Sequence, residues 1–287
     1  MSDKRILFCR SGGGLPGLDI HCGIWRALAR AGIHATDCIG TSAGAVIGAL
    51  DAAGYSANAA CEILSNLSDE DVIHERFAWK ERIMWIDYIC EQDPIRKLLE
   101  DLLSGRPQAE PLQKNFTAVT NRVLDGARID WKFLAESKLI SEAPTSVNLI
   151  EAILASMAIS GIFPWVKIND FDYTDGGTRA NLPLPGNWEK YDEVWLLVAT
   201  RPLDYRKAYN NVLARLLLNL DFYAMDQIRD VLDELVEITA AGGQAKTKIR
   251  VIWPDFYSTT SILHFDHALI EDAEKQTEKI LQEYRYL

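Results

Sequence analysis

Hydrophobic positions change their spacing twice within the first fifty residues. Ile6-Leu7-Phe8-Cys9 is a short unbroken apolar run and predicts a buried strand over Arg5 to Arg10. Ser11 to Gly17, S-G-G-G-L-P-G, is too rich in glycine for regular structure and reads as a loop. From Leu18 to Arg30 apolar residues recur at helical spacing (Ile20, Ile24, Leu28), and Gly32 stops the helix. Ala35 to Ile39 predicts a second strand, and the small, apolar run Ala45 to Ala53 a second helix. Strand, loop, helix, strand, turn, helix is the order of an α/β unit on a largely parallel sheet.

The remaining pattern extends that architecture. Helices are predicted over Ser56 to Leu67, Pro94 to Leu103 and Asn148 to Met157. Phe116 to Val123 and Ala127 to Trp131, joined through Asp125-Gly126, read as a hairpin. Gly161-Ile162-Phe163-Pro164 breaks the chain before two short strands, Trp165 to Ile168 and Phe171 to Thr174. Asp192 to Ala199 predicts a buried strand, Arg206 to Ala240 a long helix ended by Gly242-Gly243, Lys248 to Trp253 a last strand and Asp266 to Leu281 a last helix. The aromatic segment Phe77 to Ile89 suits either an inserted core helix or a lid, and Asp69-Glu70-Asp71 a solvated loop. With no repeat and no linker, residues 1–287 are expected to form a single domain, with a motif-bearing core over about 5–200 and a C-terminal extension over 201–287.

Composition narrows the function. Of 287 residues, 48% are hydrophobic and 25% charged, which is ordinary for a globular chain, and the net charge of −11 argues against a nucleic-acid surface. It leaves room only for a local, peripheral membrane contact. No apolar run approaches the roughly 18 residues of a membrane span, and the N-terminus reads as a strand, not a signal peptide. Cys9, Cys22, Cys38, Cys61 and Cys90 are odd in number and lack a C-x-x-C pair, as expected of reduced thiols in a cytoplasmic protein without a zinc site. Oligomeric state leaves no mark in the sequence.

Three glycine-containing sites carry the candidate chemistry. Ser42 lies between Gly40 and Gly44 in G-T-S-A-G, where a strand-to-helix turn would present its hydroxyl as a nucleophile. Gly12-Gly13-Gly14 can turn successive N–H groups toward one point, an oxyanion hole reinforced by the following helix dipole. Asp175, at a strand end and followed by Gly176-Gly177, is a candidate base once a partly desolvated cleft raises its pKa.

Together, G-G-G-x-x-G at Gly12 to Gly17, G-T-S-A-G at Gly40 to Gly44 and D-G-G at Asp175 to Gly177 resemble the patatin-like phospholipase family. The helix H-C-G-I-W-R-A-L-A-R-A-G-I and the stretch A-I-L-A-S-M-A-I-S-G-I-F-P-W-V are also similar to that family, and the likeness runs from about Ile6 to Pro185. It implies a three-layer α/β/α fold and a Ser42–Asp175 dyad that hydrolyses lipid or lysophospholipid acyl esters without cofactor or metal. It also implies an oxyanion hole at Gly12, Gly13 and Gly14, with Gly17, Gly40, Gly44, Gly176 and Gly177 in supporting turns. Leu15-Pro16 stand where the family usually has Arg or Lys, and Ser160 where it often has Pro. Other readings are a relative that binds lipid or a partner without turnover, an acyltransferase, and a Ser-Asp-His triad using His264 or His267. The glycine loop with Asp37 also fits a dinucleotide-binding pattern, which would leave G-T-S-A-G and D-G-G unexplained. His21 reads as structural.

Overall fold

The computed structural model describes residues 4–75, 87–104, 112–135, 147–200, 212–240, 246–255 and 261–286. Its centre is an eight-stranded sheet in the order β10-β9-β1-β2-β5-β8-β7, with β6 also paired to β5. The strands are β1 (Ile6–Arg10), β2 (Asp37–Thr41), β5 (Asn115–Arg122), β6 (Arg128–Phe133), β7 (Val166–Ile168), β8 (Phe171–Asp175), β9 (Glu193–Leu197) and β10 (Lys248–Ile252). Strands β10, β9, β1, β2 and β5 run parallel, whereas β6, β8 and β7 attach antiparallel. Two further strands, β3 (His74–Glu75) and β4 (Cys90–Glu91), form a separate antiparallel pair.

Side-chain alternation along the strands feeds two cores. In β1, Phe8 enters one and Leu7 and Cys9 the other; in β9, Trp195 and Leu197 oppose Val194 and Leu196. The first core is covered by α1 (Gly14–Arg30), α2 (Ala43–Ala52), α3 (Ala57–Ser65), α5 (Asp93–Ser104), α6 (Leu149–Ser156) and α9 (Ala268–Glu283). The second is covered by Ala180 of the short helix α7 (Gly177–Ala180), by Ile228 and Leu235 of α8 (Val212–Ala240) and by Trp188 and Tyr191. Helices on both faces of the sheet make three layers, and parallel strands buried on both faces explain runs such as V-W-L-L.

The register of β5 decides where the chemistry can sit. On one edge β6 pairs with Phe116 through Asn121. On the other, β2 runs parallel from Asp37↔Asn115 to Thr41↔Val119, and β8 takes over antiparallel from Thr120↔Asp175 to Arg122↔Tyr173. Strands β2 and β8 therefore meet end to end along β5, with both C-terminal ends at Val119–Thr120. Ser42 follows the first end and Asp175 closes the second.

Several boundaries differ from the sequence expectation. Helix α1 starts at Gly14, inside the stretch read as loop, because Pro16 falls in the first turn where a missing N–H costs nothing. Asp69-Glu70-Asp71 is not a loop: it opens the short helix α4 (Asp69–Val72), with Ser68 and Asp71 forming a capping box. Of the aromatic segment, Phe77, Trp79, Met84, Trp85 and Ile86 lie outside the described residues, as does the start of the predicted Arg206 helix. Ile89 is buried in the first core. No helix among the described residues is long and apolar enough to cross a membrane.

Under the sheet, Arg10 is fully buried. Its guanidinium donates to Asp51 Oδ2 at 2.8 Å and to Cys38 Sγ at 3.2 Å, and lies over the rings of Phe8 and Trp25. Burial alone would raise the Asp51 carboxyl, but Arg10 and Lys114 outweigh it and hold the group below its ordinary value. Asp51→Ala leaves a buried cation without its carboxylate, so the variant is expected to lose about 3–5 kcal/mol of stability in urea unfolding.

Candidate active site

The sequence C-I-G-T-S-A-G forces a sharp reversal between β2 and α2. Ser42 takes φ 52° and ψ −121°, a conformation that side chains other than glycine rarely adopt. Gly40 and Gly44 make it possible. A Cβ on Gly40 would sit 2.2 Å from the Gly44 carbonyl oxygen, and one on Gly44 2.4 Å from that of Arg10. The turn is held from outside as well: Ser42 N donates to Ser156 Oγ at 3.0 Å, and that hydroxyl donates to the Val119 carbonyl at 2.7 Å. Ser156, at the end of α6, thus ties the Ser42 turn to the β5 residue where β2 ends.

Asp175 is only 5% exposed. Its backbone N donates to Ala158 O at 2.9 Å, and its carbonyl accepts from Asn121 Nδ2 at 2.9 Å. Carboxylate Oδ1 accepts the Gly177 amide at 2.6 Å. Oδ2 meets no donor at hydrogen-bond geometry among the described residues. Burial pushes the carboxyl up to about 6, while the Gly177 amide and the nearby Ser42 hydroxyl pull the other way.

Ser42 and Asp175 line one cavity of about 100 Å³ together with Gly12, Gly13, Gly14, Asn181, Thr200, Tyr223 and Ile262. The glycine loop is fixed on several sides. Gly12 N donates to Asn181 O at 3.0 Å, Ser11 Oγ donates to Gly12 O at 2.9 Å, and Ala199 N donates to Ser11 Oγ at 2.8 Å. His21 Nε2 lies 2.8 Å from Ser11 O, and burial pushes this imidazole down to about 3, so a neutral ring donates there. The Gly12 amide is thereby occupied, which corrects the expectation that all three glycines offer donors. Among the described residues the Gly13 and Gly14 amides have no acceptor. Gly14, at φ 65°, is pressed against Ile262: a Cβ there would lie 2.3 Å from the Ile262 carbonyl oxygen, which accepts from Leu15 N at 2.8 Å.

Asn181 adds a polar group that the sequence reading missed. Its Oδ1 lies 3.0 Å from Thr200 Oγ1, and a Cβ on Gly12 would stand 3.0 Å from Asn181 Nδ2 and 3.4 Å from Ser42 Cβ. The side-chain amide therefore borders both the glycine loop and Ser42. Its place six residues beyond Asp175, and the lone serine in the apolar A-I-L-A-S-M run, were the available signals for Asn181 and Ser156. Thr200 and Ile262 had none.

The two C-terminal histidines have other partners. His267 is bonded through Nδ1 to Asp19 Oδ1 at 2.8 Å and through Nε2 to Leu67 O at 2.9 Å. Burial opposes its charge, but these two acceptors prevail and raise its pKa. His264 Nδ1 contacts Asp69 Oδ2 at 2.6 Å. Neither lines the Ser42 cavity, which corrects the triad alternative; both pin the 261–267 segment that carries Ile262. Asp37, the acid of the dinucleotide pattern, is occupied by Asn115 and Tyr191 at 2.9 and 3.1 Å.

Ser156→Ala removes the acceptor for Ser42 N and loosens the turn, so ester turnover is expected to fall by about tenfold to a hundredfold with an unchanged circular-dichroism spectrum. His267→Ala is expected to lose no more than about tenfold, acting through the 261–267 segment, against the thousandfold or more of a missing triad base.

The Patatin-like phospholipase family matches residues 8–188. No curated protein matches the chain. Among solved structures, VipD from Legionella pneumophila is similar over 98% of this chain and 67% of VipD, at 14% identity and a TM-score of 0.48. The type III effector protein ExoU is similar over 99% of this chain and 53% of ExoU, at 16% identity and a TM-score of 0.45. ExoU bound to SpcU, from the type III secretion system of Pseudomonas aeruginosa, is similar over 98% of this chain and 52% of that one, at 15% identity and a TM-score of 0.42. This chain thus spans about half the length of ExoU. With three ordered motifs gathered around one cavity and a match over more than half its residues, the chain belongs to the patatin-like phospholipase family.

Proposed function

We propose that this chain is a serine acyl hydrolase that cleaves carboxylic esters of lipids through Ser42 and Asp175. The observation that carries the reading is the meeting of β2 and β8 on one edge of β5, which brings a strained serine and a buried carboxylate into one cavity. Asp175 takes the proton from Ser42 Oγ as that oxygen attacks the ester carbonyl. The negative charge that forms on the carbonyl oxygen is met by the Gly13 and Gly14 amides at the start of α1, and by Asn181 Nδ2 beside them. Collapse breaks the bond to the alcohol, which leaves with the proton from Asp175. Water then attacks the acyl-enzyme, Asp175 accepts its proton, and the acid departs as Ser42 recovers the proton.

A carboxyl at about 6 fits this role, because it is ionised at neutral pH yet far more basic than an exposed aspartate. Only the ionised form accepts a proton, so kcat/KM is expected to fall as pH drops through about 6. Asp175→Asn and Ser42→Ala are each expected to reduce hydrolysis of p-nitrophenyl butyrate by about a thousandfold or more. Full activity in Asp175→Asn would remove Asp175 from the mechanism.

The same raised pKa makes a stability prediction. The folded state binds the Asp175 proton more tightly than the unfolded chain, so this group's contribution is favourable below pH 4 and is lost as pH rises through about 6. Asp175→Asn is therefore expected to be more stable than the wild type at pH 8, by up to about 3 kcal/mol in urea unfolding, with the difference vanishing near pH 4.

A further inference from the structure

Residues 261–267 cross the start of α1 and are bonded to it at three points. Leu15 N donates to Ile262 O at 2.8 Å, Asp266 N donates to Asp19 Oδ2 at 2.9 Å, and His267 Nδ1 lies 2.8 Å from Asp19 Oδ1. On its other side the segment is held by Asp69, which accepts from Phe265 N at 2.7 Å and meets His264 Nδ1 at 2.6 Å. Leu67 O completes the hold, 2.9 Å from His267 Nε2. The segment thereby sets Ile262 in place, which closes the space beside Gly14 and lines the Ser42 cavity.

The two contacts of His267 make a demand on protons. Leu67 O has no hydrogen to give, and an ionised Asp19 has none either, so a ring facing both must donate from both nitrogens. The Asp19–His267 pair therefore carries two protons, one at Nε2 and one between Nδ1 and Oδ1. If one leaves, either the lone pairs of Nδ1 and Oδ1 face each other or Leu67 O loses its donor. Water has no access to replace the lost bond at Asp19, whose side chain is fully buried.

Most of the charge around the ring is negative. Asp19 of α1 touches it, Asp69 of α4 acts on it from nearby, and Asp266 precedes it. Glu271, one turn into α9, contacts Lys275, and His264 on Asp69 adds positive charge only when protonated. Burial disfavours the cation, as does the N-terminal end of α9, which His267 caps. Asp19, Leu67 O and Asp69 prevail and lift the imidazole above its ordinary value of 6.5.

We infer that His267 is a positioning residue for the oxyanion loop: with both ring nitrogens protonated it clamps residues 261–267 to α1 and keeps Ile262 against Gly14, and loss of one proton loosens that clamp. This role rests on the serine hydrolase reading and deepens it. Contact runs from His267 through Asp19 and Ile262 to Gly14, which sits at φ 65° and can relax into other conformations once its wall recedes. The Gly13 and Gly14 amides then lose their aim at the carbonyl oxygen. That lowers kcat more than it changes KM, because the charge they meet develops in the transition state. The bonds made by Asp69 and Leu15 N remain, so kcat falls to a lower plateau, about threefold to tenfold down, and not toward zero.

The test is kcat and KM for p-nitrophenyl butyrate from pH 5 to 10, corrected for spontaneous hydrolysis. Wild type is expected to rise through about pH 6 with Asp175 and then, above pH 6.5, to step down in kcat to that plateau. His267→Gln and His267→Ala are expected to sit at the lower level with no alkaline step and with the acid limb unmoved. A wild type without the step, or a step that survives in the folded variants, overturns this role, while Ser42-dependent turnover keeps the hydrolase reading. A second measurement needs neither turnover nor a His267 variant: hydrogen–deuterium exchange of Ser42→Ala protein at pH 6 and pH 9, corrected for intrinsic rates. Protection is expected to fall at pH 9 in peptides covering 12–20 and 261–269 and to hold in β1 and β9. That loss in a chain whose wild type has no esterase activity would retain the clamp and overturn the hydrolase reading. Equal protection at both pH values overturns the clamp.

Discussion

The site depends on how one strand shares one edge. Strand β5 gives the first part of that edge to β2 and the rest to β8, and the two incoming strands point at each other. Ser42, from the first α/β unit, and the Asp175 carboxylate, from an antiparallel hairpin, then arrive at adjacent positions through backbone pairing. Backbone ladders are the stiffest available way to fix two distant residues, because every pair of hydrogen bonds constrains the next. Ser156 completes the arrangement by bonding to both Ser42 N and Val119 O at the junction.

The two residues proposed to react are each costly to the fold. Ser42 occupies a rarely populated backbone region, and Asp175 is buried with one carboxylate oxygen lacking a formed hydrogen bond. Around them the structure is well satisfied: the Asp175 main chain, the Gly12 main chain and the Ser11 side chain all have partners. A bonded frame around costly residues is how a fold holds groups in unfavourable states. The Arg10–Asp51 pair serves the same frame from below, since Arg10 is the last residue of β1 and its carbonyl oxygen faces Gly44.

Much of this was legible in the sequence, for a physical reason. Strand–turn–helix reversals need glycine at crowded positions, and those glycines leave a readable trace at Gly40, Gly44, Gly176 and Gly177. Parallel strands buried on both faces leave unbroken apolar runs, so β1 and β9 were visible. Helix α1 was misjudged at its start because Gly14 and Pro16 suggest a loop locally, and only the closeness of Ile262 shows why glycine is required. The occupied Gly12 amide was hidden too, because its acceptor is the Asn181 carbonyl, far away in sequence and indifferent to residue type. His264 and His267 followed Asp175 in the order a triad would have, but chain order carries no distance; Asp19 and Asp69 had claimed both rings.

The Ile262 contact bears on how the chain comes to life. Gly14 and Ile262 stand 248 positions apart in the sequence (262 minus 14), so the glycine loop is made long before the residue that seats against it. Until Ile262 is in place, the Leu15 amide lacks its acceptor and the start of α1 lacks the wall that Gly14 was shaped to meet. A nascent chain emerging from the ribosome can thus form the Ser42 turn long before the loop beside it acquires its final shape. The start of α1 gains the acceptor for its Leu15 amide only after residue 262 has been added to the chain.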